Sequence, residues 1–203
     1  MLHFRFEKEE EGPVAGVDEA GRGPWAGPVV AAAVILDPAR VPFGLNDSKK
    51  VSEARREALY EAIMAQALAV HYCAIEAEEI DRLNILEATM RAMAASVQAL
   101  KVAPHCVLID GNRAPPLPIR TRTLIKGDAQ SLSIAAASII AKVTRDRIMQ
   151  ARDAIFPDYG FARHKGYGTA QHEAALYRFG PCTEHRQSFA PVKKAALTTR
   201  CRG

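Results

Sequence analysis

Four carboxylates stand where an α/β fold gathers its chemistry. Val14-Ala15-Gly16-Val17 reads as a short buried strand finishing on Asp18-Glu19, and Cys106-Val107-Leu108-Ile109 as another finishing on Asp110. Asp128, after Lys126-Gly127, stands at a predicted helix start. Ligands of α/β sheets collect outside the carboxyl ends of strands, so acids there point toward a site. Singly each has a plainer use: Asp110-Gly111 is a common turn pair, and Asp128 can cap a helix. If they converge, two carboxylates about 4 Å apart repel by about 4 kcal/mol at an effective dielectric of 20. Such a cluster needs a counter-cation or strongly raised pKa values. Oxygen-only ligands suit Mg²⁺ or Mn²⁺ rather than zinc. Two such ions about 3.5–4 Å apart are the arrangement for in-line attack of water on a phosphodiester. Successive strand side chains leave on opposite faces, so Asp18 and Glu19 serve one site only if the strand ends between them; the glycines that follow favour that ending.

Those glycines open Gly21-Arg22-Gly23-Pro24-Trp25-Ala26, which formally matches G-x-G-x-x-A. The dinucleotide fingerprint must open a helix, whereas Pro24, Pro28 and the β-branched run from Val29 predict a strand. The better use of Gly21 and Gly23 is close backbone approach to a ligand, with peptide groups bonding a sugar hydroxyl or phosphate beside Arg22; a mere turn is the alternative. Tyr167, between Gly166 and Gly168, can present its ring to a sugar or base, or be a half-buried core tyrosine. Lys49, Lys50, Lys142, Arg145, Arg163 and Lys165 are candidates for phosphate contact, each equally readable as solvated surface. His164 and His172 read as structural or phosphate-facing, and Cys182 with His185 as a chance C-x-x-H, since no Cys/His spacing supports zinc.

The elements that must position these groups alternate. Strands are predicted at Val14–Val17, Val29–Leu36, Ala69–Ile75 and Cys106–Ile109, with a short edge strand at Thr121–Ile125. Helices are predicted after an N-cap at Ser52, over Ile85–Leu100, from Asp128 to about Ile155, and over Thr169–Phe179 with Gly180-Pro181 as the stop. The class is α/β, one domain: a catalytic core over about 14–158, a helical, basic region over about 159–191, and a flexible tail over 192–203.

Composition excludes other classes. With 48% apolar, 25% charged and 6% aromatic residues, collagenous, coiled-coil and largely disordered readings fall away. Val29–Leu36 is the longest apolar stretch, far short of the roughly 20 residues of a membrane span. The N-terminus turns acidic where a signal peptide turns apolar, and four scattered cysteines fit a reducing, cytoplasmic compartment. From Arg163 onward eight basic residues face two acidic ones, while the remainder holds 19 basic and 21 acidic. An acidic body with a basic C-terminal portion suits a polyanion partner, and a solvated surface equally; nothing marks a subunit interface, so a monomer is expected.

Taken in order, several segments resemble the type 2 ribonucleases H, and among them bacterial ribonuclease HII: Gly16-Val17-Asp18-Glu19-Ala20-Gly21-Arg22-Gly23-Pro24, Asn46-Asp47-Ser48-Lys49-Lys50, Ile109-Asp110-Gly111-Asn112, Lys126-Gly127-Asp128, Ser133 through Asp146, His164-Lys165-Gly166-Tyr167-Gly168-Thr169, and His185-Arg186-Gln187-Ser188-Phe189. The resemblance implies a ribonuclease H-like mixed sheet flanked by helices, with a helical C-terminal extension. It implies hydrolysis of RNA in RNA–DNA hybrids and incision 5′ to single ribonucleotides in duplex DNA, leaving 3′-hydroxyl and 5′-phosphate ends. Carried over, Asp18, Glu19, Asp110 and Asp128 are the metal ligands. Gly21-Arg22-Gly23 contacts the ribose 2′-hydroxyl and adjoining phosphate, and Tyr167 detects the ribonucleotide–deoxyribonucleotide junction. Arg22 and the short leader favour HII over the sister ribonuclease HIII, which has Gly-Lys-Gly and an extra N-terminal domain. A replication-clamp partner for the tail is not derivable from these residues. A structure-specific DNA nuclease on the same fold needs the acids but neither Gly21-Arg22-Gly23 nor Tyr167. A silent nucleic-acid-binding module leaves the acids unexplained, because anions near phosphates weaken binding.

Overall fold

The computed structural model describes residues 4–45 and 51–200, with backbone only for 199 and 200. Five strands form one sheet in the order β3-β2-β1-β4-β5: β1 Val14–Ala20, β2 Val29–Ile35, β3 Ala69–Ile75, β4 Cys106–Asp110 and β5 Arg120–Leu124. β1 runs antiparallel to β2 and parallel to β4, and β4 parallel to β5, so the sheet is mixed as expected. Every residue of β2 is buried, in keeping with its unbroken apolar run. The helices are α1 Glu53–Gln66, α2 Ala77–Leu83, α3 Ile85–Gln98, α4 Leu132–Ile155, α5 Phe161–His164, α6 Ala170–Phe179 and α7 Ala190–Arg200. Ser52 caps α1 and Thr169 caps α6, each hydroxyl accepting an amide three residues on. No described helix is long and apolar enough to cross a membrane.

Contacts divide the described chain into two compact units. The first, residues 4–20, 30–45, 51–74 and 89–143, holds most of the sheet, α1, most of α3 and the first half of α4. Val14, Cys106, Leu108 and Ile134 form a core cluster in it. The second, residues 21–29, 75–88 and 144–200, holds the β1–β2 loop, α2, the rest of α4 and α5 to α7. Its core includes Ala26, Met149, Tyr159 and Phe161. The division falls inside α4, between Val143 and Thr144.

Three expectations change. The strand at Val14 continues past Asp18 to Ala20, because Asp18, Glu19 and Ala20 keep pairing with Ala32, Ala31 and Val30. The helix expected from Asp128 begins at Leu132, and Asp128 lies in a separate 3-10 turn, Gly127–Ala129. Ser131 Oγ accepts the Ile134 amide, and the Glu7 carboxylate accepts both the Ser131 hydroxyl and the Ser133 amide, so the α4 N-terminus is capped without Asp128. The tail expected to be flexible from residue 192 is helical through Arg200: Val192 and Ala195 are fully buried with Leu176, and Trp25, Tyr177 and Phe189 pack against them.

Candidate active site

β1 and β4 are adjacent parallel strands, and this pairing brings their acidic ends together. Gly16 makes the approach to α4 possible: a Cβ there would lie 2.0 Å from the Ser133 carbonyl carbon. Asp18 is 6% exposed and accepts a hydrogen bond from Ser138 on α4, one turn beyond Ile134. The Glu19 amide donates to Asp18 Oδ1 at 2.7 Å. Burial first, then the charges of Glu19 and Asp110, push the Asp18 carboxyl well above the usual carboxylate range. Asp110, half-buried, accepts the Gly127 amide at 2.6 Å, which draws the 3-10 turn carrying the buried Asp128 to the end of β4. No Cβ fits at Gly127 without meeting Ile134 Cδ1 at 2.6 Å.

The structure therefore brings Glu19 and Asp110 within electrostatic reach of Asp18 and places Asp128 beside the residue that bonds Asp110. Among the described residues, no group of three or more His, Cys, Asp or Glu side chains is already arranged to hold a metal ion. β1 does not end between Asp18 and Glu19, yet the Glu19 charge still acts on the Asp18 carboxyl, so the expected break in the strand is not what brings the two acids within reach. The donor set nonetheless fits a hard cation: the four predicted ligands are all carboxylates, and Asp18 carries a proton-retaining penalty that a divalent ion would remove.

The predicted sugar-reading residues lie together in the second unit. Gly21 has φ +96° and is buried, and a Cβ there would lie 2.0 Å from Arg145 Nε. Its close approach is thus to a protein side chain rather than to a ligand. Arg22 and Gly23 are exposed. A Cβ on Gly23 would meet Tyr167 Cε1 at 3.9 Å, so the turn and the 46%-exposed Tyr167 share one surface. The Tyr167 segment is held at successive carbonyls. Arg145 binds that of Lys165 at 2.9 Å, the Trp25 amide that of Gly166 at 2.9 Å, and His172 Nδ1 that of Tyr167 at 2.9 Å.

The basic candidates separate. Arg163 is exposed, and Lys142 is half-buried on α4. The Lys165 ammonium donates to the Ala162 carbonyl. Lys49 and Lys50 lie outside the described residues. Arg145 is not a phosphate contact: it is 1% exposed and its guanidinium is spent on the carbonyls of Pro28, Ala26 and Lys165. His164 and His172 are structural, both buried and bonded to backbone carbonyls. The Cys182–His185 spacing is a genuine contact, with the Cys182 amide 3.0 Å and its Sγ 3.2 Å from His185 Nδ1. His185 Nε2 in turn meets His172 Nε2 at 3.0 Å. The end partners set the direction: His172 Nδ1–H donates to Tyr167 O, so its Nε2 accepts from His185, whose Nδ1 accepts from Cys182. Both rings are neutral, and burial lowers His172 to about 4 and His185 to about 3.

Two residues escaped the sequence reading. Ser138 and Arg186 stood out only as members of longer motif segments. Arg186 is fully buried and donates to the carbonyls of Gly21 at 2.6 Å, Arg22 at 3.0 Å and Gly27 at 3.0 Å. Burial, then Arg145, lowers it to about 9, which leaves it charged at neutral pH.

Residues 15–192 match the family model described as Ribonuclease HII. The chain is 61% identical over 183 residues to Ribonuclease HII 1 of Methylibium petroleiphilum, a match covering 89% of this chain and 91% of that one. Among solved structures, ribonuclease H2 of Pyrococcus horikoshii superposes with a TM-score of 0.78 at 26% identity, covering 92% of this chain and 98% of the other. The ribonuclease HII in the PCNA complex from Archaeoglobus fulgidus gives 0.74 at 29% identity, covering 87% and 95%.

Proposed function

The chain belongs to the ribonuclease HII family and is a metal-dependent endoribonuclease acting on RNA–DNA hybrids; from that premise we propose that it also incises duplex DNA 5′ to single embedded ribonucleotides, leaving 3′-hydroxyl and 5′-phosphate ends. The observation that carries the reading is the Asp18 carboxyl on β1, buried beside the end of β4 and pushed up by that burial and then by the charges of Glu19 and Asp110. Asp18, Glu19, Asp110 and Asp128 would hold two Mg²⁺ or Mn²⁺ ions. When bound, such ions supply a water of lowered pKa and neutralise charge on the phosphate under attack.

The chain's own groups then divide the work. Ser138 holds the Asp18 carboxylate by a hydrogen bond, and the Gly127 amide holds that of Asp110, so neither acid swings freely. The Gly21-Arg22-Gly23 turn, exposed at Arg22 and Gly23, meets the ribose 2′-hydroxyl and its phosphate. A site that bonds a hydroxyl rejects the analogue lacking it by roughly 10⁴–10⁵, since its polar groups would go unpaired, and that hydroxyl is what tells RNA from DNA at one position. The Tyr167 ring, close to Gly23, meets the neighbouring sugar. Arg22, Arg163, Lys142 and Lys165, with Lys49 and Lys50, contact phosphates. The substrates are thus RNA–DNA hybrid and ribonucleotide-containing duplex, met by a monomer in the cytoplasm.

Mapping the cleavage of a DNA duplex carrying one ribonucleotide, with and without Mg²⁺, tests this. A Mg²⁺-dependent nick on its 5′ side is expected. Equal cleavage of an all-DNA duplex would instead favour a structure-specific DNA nuclease, and metal-independent binding without a nick would overturn the reading.

A further inference from the structure

Arg186 and Arg145 lie outside the chemistry described so far, yet they engage five carbonyls of the segment between β1 and β2. Arg186 takes those of Gly21, Arg22 and Gly27; Arg145 takes those of Ala26 and Pro28. A guanidinium has five N–H donors and no acceptor, so it accepts no other polarity from the loop around it. We propose that Arg186, assisted by Arg145, is a positioning residue for ribose discrimination: by holding the Gly21 and Arg22 carbonyls inward it turns the Arg22 and Gly23 amides outward, so that the turn meets the ribose and its phosphate with donors. This rests on the reading that the turn meets a ribose, and goes beyond it by saying what sets its polarity.

The step from carbonyls to amides is covalent geometry. There is no cis peptide bond among the described residues, and in a trans peptide the N–H of one residue lies antiparallel to the preceding C=O. With the Gly21 and Arg22 carbonyls on a guanidinium that is wholly buried, the following two amides point the other way, at the two exposed positions of the turn. A flip of either peptide would put a carbonyl oxygen against a phosphate, which repels it. Gly21 has φ +96°, and a Cβ there would lie 2.0 Å from Arg145 Nε and 2.7 Å from the Pro28 carbonyl oxygen, so the position takes no side chain. Arg145 also bonds the Lys165 carbonyl, so one side chain ties the segment between β1 and β2 to the segment that carries Tyr167. Lysine cannot replace either group, because a point ammonium does not reach three carbonyls in a fork.

The test compares Arg186→Gln and Arg186→Lys with wild type in saturating Mg²⁺, on a single-ribonucleotide duplex and on a continuous hybrid, per folded molecule from melting curves. A misplacement of about 1 Å costs on the order of 100-fold. Expected is a fall of roughly that size in kcat/KM on the single ribonucleotide, carried in part by KM, a smaller fall on the hybrid, and little rescue by lysine. Losses equal on both substrates, or removed by correcting for folded protein, overturn the proposal. Should neither variant fold, Asp110→Asn enzyme decides. Its Arg22 and Gly23 amides are expected to shift more in nuclear magnetic resonance spectra on adding ribonucleotide-containing duplex than all-DNA duplex, and equal shifts overturn it. Wild type failing to nick at the ribonucleotide would instead defeat the proposed function.

Discussion

The acidic ends of β1 and β4 and the turn at Gly21 follow one another in the chain, yet they are built on opposite electrostatic plans. At the strand ends, anions crowd one another: Asp18 lies under the charges of Glu19 and Asp110, with a serine hydroxyl and two amides as its and Asp110's partners. That region carries a charge excess for a cation to relieve. At the turn the charges are cationic and sealed in, with two buried guanidiniums spending their donors on backbone carbonyls. That region is complete in itself, and what it presents outward is shape and peptide polarity. On the reading proposed above, chemistry is thus left unfinished in one place and discrimination finished in the other. A reaction supplied by bound ions tolerates an incomplete first site, whereas reading one oxygen on a sugar requires a preformed second one.

The sharpest way to break this contrast is Asp110→Asn. It removes one anion from the first region and leaves the second untouched. Cleavage is expected to fall by about 10³ or more on every substrate, with duplex binding near wild type. If gel-based assays show the variant nicking a single-ribonucleotide duplex at close to the normal rate, the acidic cluster is not the reaction centre. Tyr167→Ala probes the other side. Its loss should be roughly 10- to 100-fold on the single ribonucleotide, in line with about 1–3 kcal/mol for a stacked base, and smaller on continuous hybrid. Equal losses on both would remove the junction-sensing role.

The smallest effect concerns the neutral histidines beneath Tyr167. Their folded pKa values, about 4 for His172 and about 3 for His185, lie below the ordinary 6.5. Unfolded chains therefore bind protons first as pH falls, and the stability these rings contribute is complete above about 6.5 and lost on the way down toward 4. Between pH 7 and pH 5 the melting temperature should drop by on the order of 10 °C. Asp18 and Glu184, both raised by burial, act with the opposite sign, so the comparison is with His172→Gln. Calorimetry showing the same pH slope in both proteins would mean that the relay is not neutral in the folded state.

What could be read from the sequence was what is local. Periodicity and N-caps located α1, α3 and α6, and acids closing apolar runs marked Asp18 and Asp110. The short, acid-rich α2 gave no periodic signal. The run past Asp18 looked like a strand end because its continuation depends on partners in β2, not on its own residues. Glu7 reaches the start of α4 across 124 residues and Arg186 reaches Gly21 across 165, and no spacing rule covers such distances. Arg145 was misread for a related reason: charged side chains are seldom fully buried, so composition points them to solvent. The helix after residue 190 was missed because its burying partners, Leu176 and Trp25, belong to other segments.

The span from Gly21 to Arg186 also bears on how the protein is made. At a ribosomal pace of roughly 5–20 residues per second, the turn waits on the order of 10–30 s for the side chain that bonds its carbonyls. A nascent chain stopped after α4 already contains every acid of the candidate centre but none of the Arg186 donors. On the proposed reading, competence to recognise a sugar therefore arrives only as synthesis ends, and a prematurely terminated product carries the acidic centre without the side chain that bonds the turn.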